Sequence, residues 1–300
     1  MNQLNLPLLP YNEWTKTRTT IHLILQIMGK VRLKTTHRKN HWWYMTIYVS
    51  AKGFSTHSIA YNNGMDSFEI DLNVNRKAVV FTKSNGDETL ISLSDEMNIA
   101  RFYKRFMEVL SGMGLHPKFV DKPLDMGIDK SFDTIVEYHH YDWSAIERFW
   151  TMMRWNNDVF QAFSGRFYGK SCPVHIYWHH MDLTVTRFSG KKLPPMDPKA
   201  RILEKDSYSH EQISFGFWVG DDNMQEPAYY SYTYPAPEGL DEEVLAPEKA
   251  MWIDANGSPM AVLKYADVIT ADNPRQAVLD FLESAYQAGA SKAGWNIAEL

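Results

Sequence analysis

Residues 68–93 read FEIDLNVNRKAVVFTKSNGDETLISL, and this stretch decides the fold class. Phe68, Ile70, Leu72 and Val74 alternate with Glu69, Asp71 and Asn73, the period-two pattern of a strand with one buried face and one wet face. Two further strands are predicted at 77–83 and 88–93, joined by Asn85-Gly86, a pair that accepts the positive φ angles of a tight hairpin turn. Strands joined so closely must pair antiparallel, because a parallel crossover needs about a dozen residues or more.

Working outward, residues 43–49 (WYMTIYV) are rich in aromatic and β-branched side chains and are predicted as another strand. Before them, Tyr11 to Lys34 has helical periodicity, with Trp14, Ile21, Leu25 and Met28 on one side and Leu23, Ile24 and Ile27 on the other. A helix apolar on both sides is expected between layers. After the hairpin, Ser94 is the predicted cap of a helix whose Ile99, Phe102, Phe106 and Leu110 share a face. Residues 115–141, with Pro117, Pro123 and Gly127, then form an irregular connector.

The same order follows a second time. A helix opening at Asp142 carries Ile146, Phe149, Trp150, Met153 and Phe160. Strands are predicted at 174–178, 182–188, 210–219, 228–234, 251–254 and 261–265, and a last helix starts at Pro274 behind Asn273. The expected class is α+β: two helix-flanked, mainly antiparallel β-sheet halves, 1–114 and 142–300, joined by the connector 115–141. The likeness of QIMGKVRLKT…HWWYMTIYVSAKGFS to QAFSGRFYGKSCPVHIYW…LTVTRFSG suggests an internal duplication with a pseudo-twofold axis.

Composition narrows the partners. A net charge of −5 argues against coating nucleic acid, which gains from a positive field. The basic run GKVRLKTTHRKNHWWY is read as a solvated helix end whose cations complement the helix dipole. The single cysteine, Cys172, cannot close an internal disulfide and suits a reducing compartment. The start MNQLNLPLLPYNEW lacks the marks of a secretory signal, and IHLILQIMG is too short to span a bilayer. The expectation is a cytoplasmic protein acting on neither membrane nor nucleic acid.

The pattern His-His-x-Asp occurs twice, in EYHHYD (137–142) and at His179-His180-Met181-Asp182. Zinc needs three or four convergent ligands, and neighbours in an extended strand point to opposite faces, so no metal is assigned. A Cys172–His175 nucleophile would need close contact that nearness in sequence does not supply. GxSxG, GxGxxG after a strand and GxxxxGK[ST] are all absent, and no cofactor is named.

The sharper signal is a contrast between the sheets. Alternation in the second half groups His175 with Tyr177, Asp182 with Thr184 and Thr186, and His210 with Gln212, Ser214, Gly216 and Trp218. These faces lack lysine and hold hydroxyl, amide, imidazole and indole groups, the chemistry of a concave ligand site. The next strand adds Tyr229, Tyr230, Tyr232 and Tyr234 as aromatic walls.

LPLLPYNEW, NHWWYMTIYVSAKGF, SCPVHIYW with DLTVTRFSG, YSHEQISFGFWVGD, PAYYSYTYP and FLESAYQAGASKAGW resemble, in that order, a bacterial family catalogued as domain of unknown function 5996. The resemblance spans nearly the whole chain and implies no activity. Its blocks YSHE and VTRFSG include His210, Glu211 and Arg187. The expected site is a small-molecule pocket in the C-terminal half. His175, His210 and Glu211 are its acid/base candidates and Arg187 its anion holder. Trp178, Trp218, Tyr230 and Tyr232 are its walls, with Gln212 and Thr186 as polar lining. His175, Arg187 and His210 are expected to reach one shared cavity, Arg187 only if its strand bulges or ends near Phe188, because strict alternation turns it the other way. A non-catalytic protein that binds partner chains through exposed aromatic surface is the alternative.

Overall fold

The structure is a computed structural model that describes residues 6–297. Helix α1 (Tyr11–Thr35) leads into β1 (Tyr48–Val49), β2 (Gly53–Ser55), β3 (Ile59–Tyr61), β4 (Asp66–Asn73), β5 (Ala78–Lys83) and β6 (Glu88–Ser92), followed by α2 (Ile99–Gly112). Helix α3 (Trp143–Ser164) opens the second half, with β7 (His175–Tyr177), β8 (Asp182–Lys192), the short α4 (Ile202–Ser207), β9 (His210–Trp218) and β10 (Ala228–Tyr234). Next come β11 (Met251–Asp254), β12 (Pro259–Lys264), α5 (Tyr265–Ile269) and α6 (Pro274–Lys292).

The class is α+β, and each sheet has six strands paired antiparallel throughout. The first runs β1-β2-β4-β5-β6 with β3 beside β4, and the second runs β11-β12-β10-β9-β8-β7. The two halves share the order helix, antiparallel strands, helix. The sheets differ in their connections: in the first, β2 and β3 both pair with β4, whereas in the second β12 lies against β10 with β11 outside it.

The sheets meet edge to edge. Ile47 and Ile176 exchange both backbone hydrogen bonds, at 3.0 and 2.7 Å, beside β1 on one side and within β7 on the other. Each sheet thereby covers an edge that would otherwise template aggregation. Every residue of α1 from Thr20 to Arg32 is buried, as its two-sided apolar pattern requires. At Gly29 the missing side chain lets the Trp178 indole lie directly on the helix, and Trp178 Nε1 donates to the Met45 carbonyl at 2.8 Å. One continuous core joins both halves.

Gln26 fastens the connector to α1: its side-chain amide donates to the Leu124 carbonyl and accepts from the Leu124 N–H, at 2.8 and 2.7 Å. On the second sheet, α3 and α6 cover the face carrying Val185, Ile213, Phe215 and Phe217, and leave the opposite face to the cleft described below. Among the described residues no helix is long and apolar enough to cross a membrane.

Three local expectations are corrected. Asn98, not Ser94, caps α2, accepting from the Arg101 N–H at 2.9 Å. The strand predicted over 43–49 is confined to its C-terminal end, because His41 and Trp42 both take positive φ (55° and 60°) and coil the chain before it. Asp71 is no solvated charge of a wet face: it is buried, and Lys52 reaches over it at 3.5 Å.

Candidate functional site

The free face of the second sheet floors a cleft of about 1060 Å³, at the upper end of the ~300–1,000 Å³ typical of ligand pockets. Register builds the floor in rows. Tyr177 pairs with Asp182, Thr184 with Gly216 and Tyr230, Thr186 with Ser214 and Tyr232, and Phe188 with Gln212 and Tyr234. Directly paired residues face the same side, so alternation carries all of these into one surface.

Gly216 shapes that surface. A β-carbon there would collide with the ring of Tyr230, which lies across the glycine. Lying flat, Tyr230 donates its hydroxyl to Asp182 Oδ2 at 2.5 Å. Gly216→Ala should lift this ring, break the bond and cost about 1–3 kcal/mol as an overpacking change. Urea unfolding measures it, and an unchanged midpoint would contradict the contact.

Asp182 is only 6% exposed, and its second oxygen has no hydrogen-bond partner. Burial raises its pKa. The Thr184 hydroxyl, two residues along on the same face, is also buried and unpartnered. By contrast, Thr186 and Ser214 share a hydrogen bond at 3.1 Å, and Tyr177 donates to the His41 carbonyl at 3.1 Å. Burial pushes the Tyr177, Tyr230 and Tyr232 phenols well above their ordinary pKa, so they remain hydrogen-bond donors.

The N-terminal half supplies much of the wall, which the expectation of a C-terminal site missed. Arg18 and His22 come from α1; His41, Trp42, Trp43 and Met45 come from the segment before β1; Asp125 comes from the connector. His22 Nε2 donates to the carbonyls of Trp178 and His179, at 3.0 and 3.1 Å, and burial holds its pKa down at about 3. The chain between β8 and β9 adds Met196, Arg201, Leu203, Glu204 and Tyr208 to the lining. It is tied to the N-terminal wall by Trp42 Nε1 donating to the Leu203 carbonyl at 3.0 Å.

Of the ten residues given site roles from the sequence, Trp218, Tyr230, Tyr232, Gln212 and Thr186 line the cleft, and the other five do not. His175 is on the same sheet face but at the edge strand, fully buried beside Tyr48 with neither ring nitrogen hydrogen-bonded. Burial and the Arg32 charge hold its pKa at about 3. His210 stands beside the wall residue His41, ring centres 5.4 Å apart, and its Nδ1 lies 3.0 Å from Ser209 Oγ. Glu211 faces the other way, accepting from Ser189 Oγ at 2.8 Å.

His175, Arg187 and His210 do not share a cavity: His175 is sealed at the seam, His210 lies outside the cleft lining, and alternation turns Arg187 to the helix-covered face. There its guanidinium stacks 3.6 Å from the Phe163 ring centre and 4.4 Å from that of Tyr286, and it donates to the Phe163 carbonyl at 2.8 Å. Trp178 is no wall but the packing piece against α1. Cys172 is buried, accepts from the Thr186 N–H at 3.1 Å and has its pKa pushed up to about 12, which makes it an inert thiol.

One premise used against a metal does not hold. Residues 178–181 form a turn, so His179 and His180 do not diverge, and their rings lie 4.2 Å apart. Among the described residues, though, no group of three His, Cys, Asp or Glu side chains is arranged to hold an ion.

No curated protein and no solved structure matches this chain. The sequence model of DUF5996, a family of unknown function, matches residues 6–300, and the chain belongs to that family.

Proposed function

We propose that the cleft between the two halves binds a small molecule against the polar face of the second sheet. The observation that carries this reading is a pair of buried polar groups at its floor, Asp182 Oδ1 and Thr184 Oγ1, left without partners. Buried polar atoms in folded proteins are nearly always hydrogen-bonded, and each exception costs about 1–3 kcal/mol until something satisfies it. A ligand entering over these rows would supply that partner. Aromatic rings supply apolar contact around it: Trp42 and Trp43 on the wall, Trp218, Tyr230 and Tyr232 on the floor.

If the cleft carries acid–base chemistry, Asp182 and its donor Tyr230 are better placed for it than His175, which is sealed away from the cleft. The reading of an aromatic interaction surface has less support. Among the described residues the exposed large hydrophobics are scattered, and Tyr168 is the aromatic one. The lone buried cysteine fits a reducing, cytoplasmic setting.

A thermal-shift screen of metabolites, with hits repeated on two variants, tests the proposal. Stabilisation by a hit should fall on Trp218→Ala, in the floor, and persist on Arg166→Ala, beside the separate cavity around Arg187. Hits that ignore Trp218→Ala, or that depend on Arg166, would reject the cleft.

A further inference from the structure

The charges lining the cleft are unequal. Two arginines, Arg18 and Arg201, stand against four carboxylates, Asp125, Asp182, Glu204 and Asp221. Three of the four carboxylates are already served. Asp125 and Glu204 lie 3.7 and 3.9 Å from Arg201. Asp221 accepts from the backbone N–H groups of Asn223 and Met224, at 2.8 and 2.9 Å. Asp182 alone has a single neutral donor, Tyr230, and a bare oxygen. His180, two residues earlier in the turn, forms no hydrogen bond with it.

A buried carboxylate without a counter-charge is costly, and the surroundings here favour a positive guest over a neutral one. Asp182 pairs in register with Tyr177 and lies one step beyond the Leu183–Phe217 pair, which puts it in the row of Trp218. The Trp218 ring stands edge-on to Tyr230, centres 5.4 Å apart, and Tyr230 and Tyr232 stack in parallel at 6.3 Å. Ring faces are the negative end of the aromatic quadrupole and attract cations.

Resting on the reading of the cleft as a ligand site, we infer that its ligand carries an organic ammonium group. The ammonium pairs with Asp182 among the rings of Tyr177, Trp218 and Tyr230 and donates to the free Thr184 hydroxyl. An N–H donor set satisfies both orphan oxygens at once, which an apolar guest cannot do.

Binding of three matched probes to the full chain, followed by tryptophan fluorescence at fixed pH and salt, tests this. The probes are 2-phenylethylammonium, 2-phenylethanol and phenylacetate. The ammonium is expected to bind at least about tenfold tighter than the alcohol, and phenylacetate weaker than either. In Asp182→Asn the ammonium should lose its advantage over the alcohol; the comparison of probes on the unaltered protein stands without that variant. Equal binding of ammonium and alcohol, both lost in Trp218→Ala, would overturn the charge assignment and leave the cleft intact. Binding of none of the three would count against the cleft as well, and preference for phenylacetate would reverse the inferred charge.

Discussion

Trp178→Ala is expected to cost about 3–5 kcal/mol of folding stability, the range for removing a fully buried tryptophan. Three contacts go together. The indole lies on Gly29 in the middle of the most buried helix, its Nε1 donates to the Met45 carbonyl, and the Lys30 ammonium sits 5.5 Å from the ring centre. It is also two residues from the Ile47–Ile176 bridge that joins the sheets, so the cavity left behind would open at the seam between the halves. Urea unfolding gives the number. A loss below about 1 kcal/mol, accompanied by lost ligand binding, would return Trp178 to the role of pocket wall.

The second large effect is acid sensitivity carried by buried neutral imidazoles. His175 is held at about 3 in the folded chain, against an ordinary value of 6.5. As pH falls below about 6.5 the unfolded chain takes up a proton there and the folded chain does not, so stability present at pH 7 is lost on the way down. By pH 5 the loss is roughly 2 kcal/mol for this one histidine. His22 acts in the same direction for the same reason. Asp182 and Asp71 act oppositely: their raised pKa makes the folded state the better proton acceptor, and stability is gained as pH falls.

A comparison with His175→Phe isolates the single histidine from these opposing groups. The stability of the natural protein relative to the variant should decline by about 2 kcal/mol between pH 7 and pH 5. Parallel pH profiles would show that His175 is hydrated or charged in the native state.

The two sheets were legible because their strands are local and their turns explicit. Asn85-Gly86 and the alternation around Phe68 to Val74 fix antiparallel pairing without any distant contact. The same alternation located the face of β8, β9 and β10 that floors the cleft. It could not show what lies over that face. Strand period assigns a side chain to a side, and the side's cover depends on residues distant in sequence.

His175 and Thr184 share a row, yet one is sealed under the edge where the halves meet and the other lines the cleft. The walls built from His22, His41 and Trp42 were missed for that reason, since each reaches the site across more than a hundred residues of chain. Asp182 stood in the correct row from the start. Its weight lies in its surroundings, where no basic side chain of the described residues bonds it. Arg187 shows the reverse: strict alternation already turned it away, and an aromatic box of Phe163, Phe167 and Tyr286 explains how its charge is tolerated there.

The most direct test of the cleft is a crystal structure of the protein with the strongest hit of the thermal-shift screen. The account predicts ligand density over the rows Asp182, Thr184–Gly216–Tyr230 and Thr186–Ser214–Tyr232, with a ligand donor within hydrogen-bond distance of Asp182 or Thr184. Density for the hit at the Arg187 cavity or on the outer surface, with the cleft holding water alone, would contradict it.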